Sequence, residues 1–169
     1  STNVDMVNTA KTKKAILGLA NAFTEVQTAI SENKTTEEIK GIIESHYDID
    51  YLIDYLIFSN VVYNVDGWGG NWQWTTWDGV KWNPNPYDLN ATFGLDPYGI
   101  LASEALTSIL SSSIATVVLK YYLEEIKTRF KYLRNNNIIT VENIIGLFKT
   151  WVDRIGIDNF KNEFKVWDS

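Results

Sequence analysis

At 169 residues the chain is long enough for one domain with a substantial core. A hydrophobic share of 45% excludes a disordered tail, and a formal charge of −6 with no basic stripe argues against a nucleic-acid partner. Cysteine is absent and His46 is the only histidine, so disulfides and thiolate zinc sites are excluded and a Ser-His-Asp triad would have to pass through that one residue.

Residues 1–10 read as a flexible lead-in. From Lys11 to Ile30, Ile16, Leu17, Leu19, Ala20, Phe23, Val26 and Ile30 recur at helical spacing. Asn33 and Lys34 break that helix. Thr35 or Thr36 can cap the next one, with Glu37 and Glu38 complementing its dipole and Ile39, Ile42 and Ile43 forming its apolar face. Asp48 to Val65 reads as a third helix, capped by Asp48 or Asp50 and apolar nearly all round, which predicts burial. No apolar run approaches the roughly 18 residues that span a bilayer.

Asn71 to Pro86 alternates and is loaded with aromatics, with Asp78-Gly79 at its centre, the strongest short hairpin signal available. A two-residue turn there sets Trp77 opposite Val80 and Thr75 opposite Trp82. Five of the seven tryptophans, Trp68, Trp72, Trp74, Trp77 and Trp82, fall in this region. They read either as a stacking platform for sugar rings or as area buried between helices. Burial by the helix of Asp48 to Val65 and the helix after Ser113 is the favoured expectation. Pro84 and Pro86 end the second strand. One long helix is expected from Ser111–Ser113 to about Arg134, another from a Thr140 cap to near Gly156, and a last amphipathic piece carries Phe160, Phe164 and Trp167. The expected fold class is mainly α (α+β), one domain over 1–169 with a single Trp-rich β-hairpin.

Chemistry concentrates between Asn64 and Gly94. Asp66 and Asn71 have the D-x4-N spacing of a kinase catalytic loop, in which the Asp accepts the proton of the substrate hydroxyl and the Asn holds a magnesium ion. Asp88 follows the hairpin, where a second metal-binding carboxylate would sit if the hairpin folds the acidic positions back together. The spacing alone favours a plain reading: Asp66 ends a helix, Asn71 caps a strand and Asp88 makes a turn.

Further residues narrow this. Asn64-Val65-Asp66, Asn71, the Trp-rich hairpin and Pro86-Tyr87-Asp88-Leu89-Asn90-Ala91-Thr92-Phe93-Gly94 follow one another in order. Downstream come Arg129-Phe130-Lys131-Tyr132-Leu133-Arg134, Thr140-Val141-Glu142 and Trp167. From about Asp48 to Trp167 this order resembles the C-terminal part of the CotH kinase family, named after a spore-coat protein. The resemblance implies an atypical kinase-like fold whose members include enzymes that transfer phosphate from ATP to protein side chains. It implies Mg2+ and ATP as cofactors, Asp66 as catalytic base, Asn71 and Asp88 as magnesium ligands and Asn90 as a further candidate ligand. It also implies a spore-coat, cell-surface or phage-virion setting.

Three departures accompany the resemblance. Gly67 stands where many members carry Arg, and Asn90 where the family often has a second Asp. No strand-borne lysine or glycine-rich loop is recognised upstream of Lys11, so the nucleotide-clamping lobe is expected outside this chain. Two functional classes stand at this point. The first is the C-terminal lobe of an atypical protein kinase, inactive as an isolated fragment, with a protein substrate and the upstream lobe of its parent as partners. The second is a non-catalytic structural or surface-binding module with assembly partners.

Overall fold

The computed structural model describes residues 9–64, 72–95 and 113–167. The chain divides into two compact units, Ser1–Ile126 and Lys127–Ser169. Among the described residues there are seven helices and one two-stranded ribbon, so the mainly α expectation holds.

The first unit begins with α1 (Thr9–Ser31) packed on α2 (Thr36–His46). Between them Asn33 takes a left-handed conformation at φ 56°, and Lys34 N–H donates to Ala29 O at 3.1 Å. That is a Schellman closure, in which asparagine tolerates the conformation better than most residues. Thr35 then caps α2 with a reciprocal pair: Glu38 N–H donates to Thr35 Oγ1 at 3.3 Å, and Thr35 N–H donates to Glu38 Oε2 at 2.9 Å. The Thr35 N–H and then its hydroxyl, both donating to Glu38 Oε2, hold the Glu38 carboxyl below its ordinary range. The α1 surface in the core is Ala22, Val26 and Ala29, whereas Ile16 and Leu17 are exposed. Small residues at i, i+4 and i+7 let α2 approach with Ile39 and Ile43.

Asp48 caps α3 (Ile49–Val61), accepting from Tyr51 N–H at 3.2 Å. Leu52, Ile53, Leu56 and Ile57 are buried, but Tyr51 is exposed, so α3 shows one face to solvent rather than being enclosed all round. It packs against the ribbon and against α4 (Ser113–Tyr121). The single long helix expected from Ser111–Ser113 to Arg134 is interrupted at Tyr122, where α5 (Leu123–Asn135) follows. The buried Tyr122 hydroxyl donates to Glu44 Oε1 at 3.1 Å and to Lys40 O at 3.3 Å, and Lys40 Nζ lies over the same ring. Burial, then the Glu44 carboxylate, drives the Tyr122 hydroxyl pKa upward.

The ribbon pairs β1 (Trp72–Thr75) with β2 (Asn83–Pro86), Trp74 facing Pro84 and Thr75 facing Asn83. This differs by one residue from the register of a two-residue turn. The connection runs from Thr76 to Trp82, because Asp78 Oδ1 accepts from Val80 N–H at 2.8 Å and Lys81 N–H at 2.9 Å and so widens the turn. A one-residue slip exchanges the partners on both faces. Gln73, Thr75, Asn83 and Asn85 therefore share one face, and Trp74 lies with Pro84 on the other.

Trp68 and the Trp72 side chain lie outside the described residues, and the cover of the other hairpin tryptophans is uneven. Trp82 is 5% exposed, but its neighbours are α1 and the α2–α3 link: its N–H donates to His46 O at 2.8 Å, and its ring lies by Gly18. Trp74 is half-buried with its ring 5.5 Å from that of Tyr47, while Trp77 is 98% exposed. Tyr47 is wholly buried, which pushes its hydroxyl pKa up to about 12. His46 reaches back to Glu25 of α1 at 2.6 Å. The α2–α3 link is thus where two helices and the hairpin are tied together.

In the second unit, α5 ends in another Schellman closure at Asn137, with Ile138 N–H donating to Leu133 O at 2.9 Å. Thr140 caps α6 (Val141–Ile155), accepting from Asn143 N–H at 3.1 Å. Gly156 closes it at φ 83°, and α7 (Ile157–Trp167) follows.

Candidate functional site

The site region begins where α3 stops. Val62 N–H still bonds to Phe58 O at 3.0 Å, but Tyr63 turns left-handed at φ 50° and Asn64 N–H donates to Ser59 O at 2.8 Å. This is a third Schellman closure, with tyrosine in the position that glycine or asparagine normally fills. An L-residue there is strained by roughly 1–2 kcal/mol. The reversal turns Asn64 into the interior at 0% exposure. Neither its side-chain oxygen nor its nitrogen has a hydrogen-bond partner among the described residues.

The second half of the region is the turn after β2. Asp88 is left-handed at φ 49°, Phe93 at φ 54° and Gly94 at φ 86°. Two non-glycine residues in that conformation within six positions mark a backbone held by its surroundings. Ala91 is wholly buried, Thr92 Oγ1 donates to Leu89 O at 2.8 Å, and Leu95 N–H donates to Thr92 O at 3.1 Å. Phe93 N–H then donates to Val62 O at 2.5 Å. That bond joins the turn carrying Asp88 and Asn90, both exposed, to Val62, the residue that caps α3 and stands four positions before Asp66 in sequence.

Asp66 and Asn71 lie outside the described residues, as does Gly67. The placements of Asp88 and Asn90 are therefore the part of the expected set visible here. The available donors are a carboxylate and amide oxygens, the hard ligands that magnesium prefers. Among the described residues no three His, Cys, Asp or Glu side chains gather as a metal site, and a full ligand set needs Asp66 or Asn71 as well. Sequence reasoning quoted Asn64 as part of a motif but gave it no role. The available signal was an amide just past the end of a helix rich in apolar residues, and Asn60 one turn earlier offers the same signal.

A family model described as CotH kinase protein matches residues 3–169. The chain belongs to the CotH kinase family. No curated protein and no solved structure matches it. The match takes in α1 and α2 as well as the stretch from Asp48 onward, so the resemblance is wider than the motifs that first carried it. In this CotH kinase family chain the site region and the helical pair before it are parts of one family pattern. No helix among the described residues is long and apolar enough to cross a membrane.

Proposed function

We propose that the chain is the helical lobe of an atypical protein kinase that moves phosphate from ATP to protein side chains. The observation that carries this reading is the Phe93 to Val62 bond, which returns the Asp88 turn to the end of the helix that leads to Asp66. In this reading the Asp66 carboxylate accepts the proton of the acceptor hydroxyl. Asn71 and Asp88 would hold magnesium, which supplies charge neutralisation at the phosphates. Asn90 in place of a second carboxylate leaves the site less negative, so metal binding relies more on Asp88. The lysine that clamps phosphates comes from a lobe outside residues 1–169, and the isolated fragment is inactive. A spore-coat, cell-surface or virion protein is the setting that the family suggests.

The test is a calorimetric titration of the full-length protein with magnesium and ATP. Asp88→Asn, which tolerates the left-handed backbone at this position as aspartate does, should weaken magnesium binding by at least about tenfold. Equal binding by the variant would remove Asp88 from the ligand set.

A second reading, a non-catalytic structural or surface-binding module, is favoured by one observation. Trp77 stands 98% exposed at the hairpin tip, where it is available to stack on a partner.

A further inference from the structure

We propose that the recess between α3 and β2 is a binding site for a small quaternary ammonium compound, a cation of the size of choline. This site is separate from the phosphotransfer reading and does not depend on it.

One wall is written in the sequence. Tyr51, Asp54, Tyr55 and Phe58 stand at i, i+3, i+4 and i+7, so α3 turns three rings and one carboxylate to a single face. Pro86, the last residue of β2, lines the other side, and the recess holds about 270 Å³. The Tyr55 and Phe58 rings lie 6.4 Å apart, tilted by 36°. Tyr55 is buried, Phe58 half-buried and Tyr51 exposed, so aromatic surface extends from solvent inward. The Tyr51 hydroxyl donates to Asn85 Oδ1 at 3.2 Å, and Asn85 Nδ2 donates to Thr75 Oγ1 at 2.8 Å. Those bonds tie the outer ring to both strands and hold it in place before any ligand arrives.

Two features select the ligand. The first is charge. No lysine or arginine occurs between Lys40 and Lys81, whereas α3 carries Asp50 and Asp54 with Asp48 as its cap. The field at the recess therefore favours a cation and opposes a phosphate or a carboxylate. The second is the kind of contact on offer. A lysine or arginine head brings several N–H donors, and a wall of rings with one carboxylate leaves most of them unpaired. A methylated ammonium has no N–H to satisfy and is held by ring faces and a nearby negative charge. Size agrees with this choice: sites for drug-sized molecules run to roughly 300–1,000 Å³, so this smaller recess suits a single head group.

The experiment titrates the full-length protein with tetramethylammonium chloride and follows the ligand methyl protons and the protein ring protons by NMR, with sodium chloride at equal ionic strength as reference. Neopentyl alcohol, which has nearly the same shape without the charge, and glucose are the comparison ligands. The expected result is a saturable upfield shift of the methyl protons, with Kd on the order of 1 mM. Neopentyl alcohol should bind at least about tenfold more weakly. Tyr51→Phe, which keeps the ring, should bind as the wild type does. Tyr51→Leu and Asp54→Asn should each weaken binding by at least about fivefold. Tyr51 is exposed, so its two variants test the site at matched melting temperature even where Asp54→Asn lowers stability. No saturation up to tens of millimolar would overturn the proposal. Equal binding of neopentyl alcohol would make the recess a plain apolar crevice, and binding of glucose alone would make it a sugar site; either result contradicts a cation site. Undiminished binding by a folded Tyr51→Leu would move the ligand elsewhere and overturn it as well.

Discussion

Asp78 organises the hairpin loop with one carboxylate oxygen, which accepts from Val80 N–H, Lys81 N–H and the Thr76 hydroxyl. The Lys81 and Val80 amides hold its carboxyl below the ordinary 3.8. A lowered folded pKa means that the stabilisation is present above the unfolded value and is lost as pH falls through the folded one. The loop should therefore keep its order down to about pH 4 and loosen below it. The exposed Trp77 reports this: its fluorescence should change in an acid titration below that point, and the same step should vanish in Asp78→Asn. A wild-type trace flat to pH 2 would contradict the assignment. The same residue explains why the turn was legible but its size was not. Asp-Gly marks a reversal, yet a side chain bonding two successive amides replaces the two-residue turn by a wider loop, and no alternation pattern reveals that choice. Gly79, at φ 76°, serves both versions equally.

The helices were the most legible elements, because their ends are written in side chains. Thr35, Asp48 and Thr140 cap α2, α3 and α6 as their chemistry demands, and Asn33 and Gly156 sit where helices close. The end of α3 was read four residues late, at Val65 instead of Val61, because the left-handed closing residue is Tyr63. The break at Tyr122 was hidden because a tyrosine at helical spacing looks like packing, and its hydroxyl bonds to Lys40 and Glu44 lie some eighty residues away. That break yields a prediction: Tyr122→Phe removes the hydroxyl and leaves the Glu44 side of the pair to solvent, destabilising by about 1 kcal/mol in urea melts. An unchanged midpoint would show that the two bonds contribute nothing. The hairpin yields a sharper contrast. Trp82→Ala should cost about 3–5 kcal/mol, since the ring is buried against α1 and the α2–α3 link. Trp77→Ala should stay within about 0.5 kcal/mol. Equal losses would mean that the tip tryptophan is packed after all.

Across the whole molecule, the part of the candidate site that could be read from sequence was its order: a helix, D-x4-N, a hairpin, then an acidic turn. The return of that turn to α3 depends on a single backbone bond between Phe93 and Val62, which leaves no mark on residue types. Asn64 was visible as a letter and not as a buried, unpartnered amide, because burial at that point follows from the strained reversal at Tyr63. Those two features bring the Asp88 turn and Asn64, two residues before Asp66 in sequence, to one end of α3, and the phosphotransfer proposal draws its support from that. The most direct measurement is transfer of the γ-phosphate of ATP to a protein acceptor by the full-length protein, wild type beside Asp66→Asn at matched melting temperature. The expected result is measurable magnesium-dependent transfer by the wild type and a fall of at least about a hundredfold in the variant; equal transfer by both, or none by the wild type with magnesium and ATP in excess, would contradict the account.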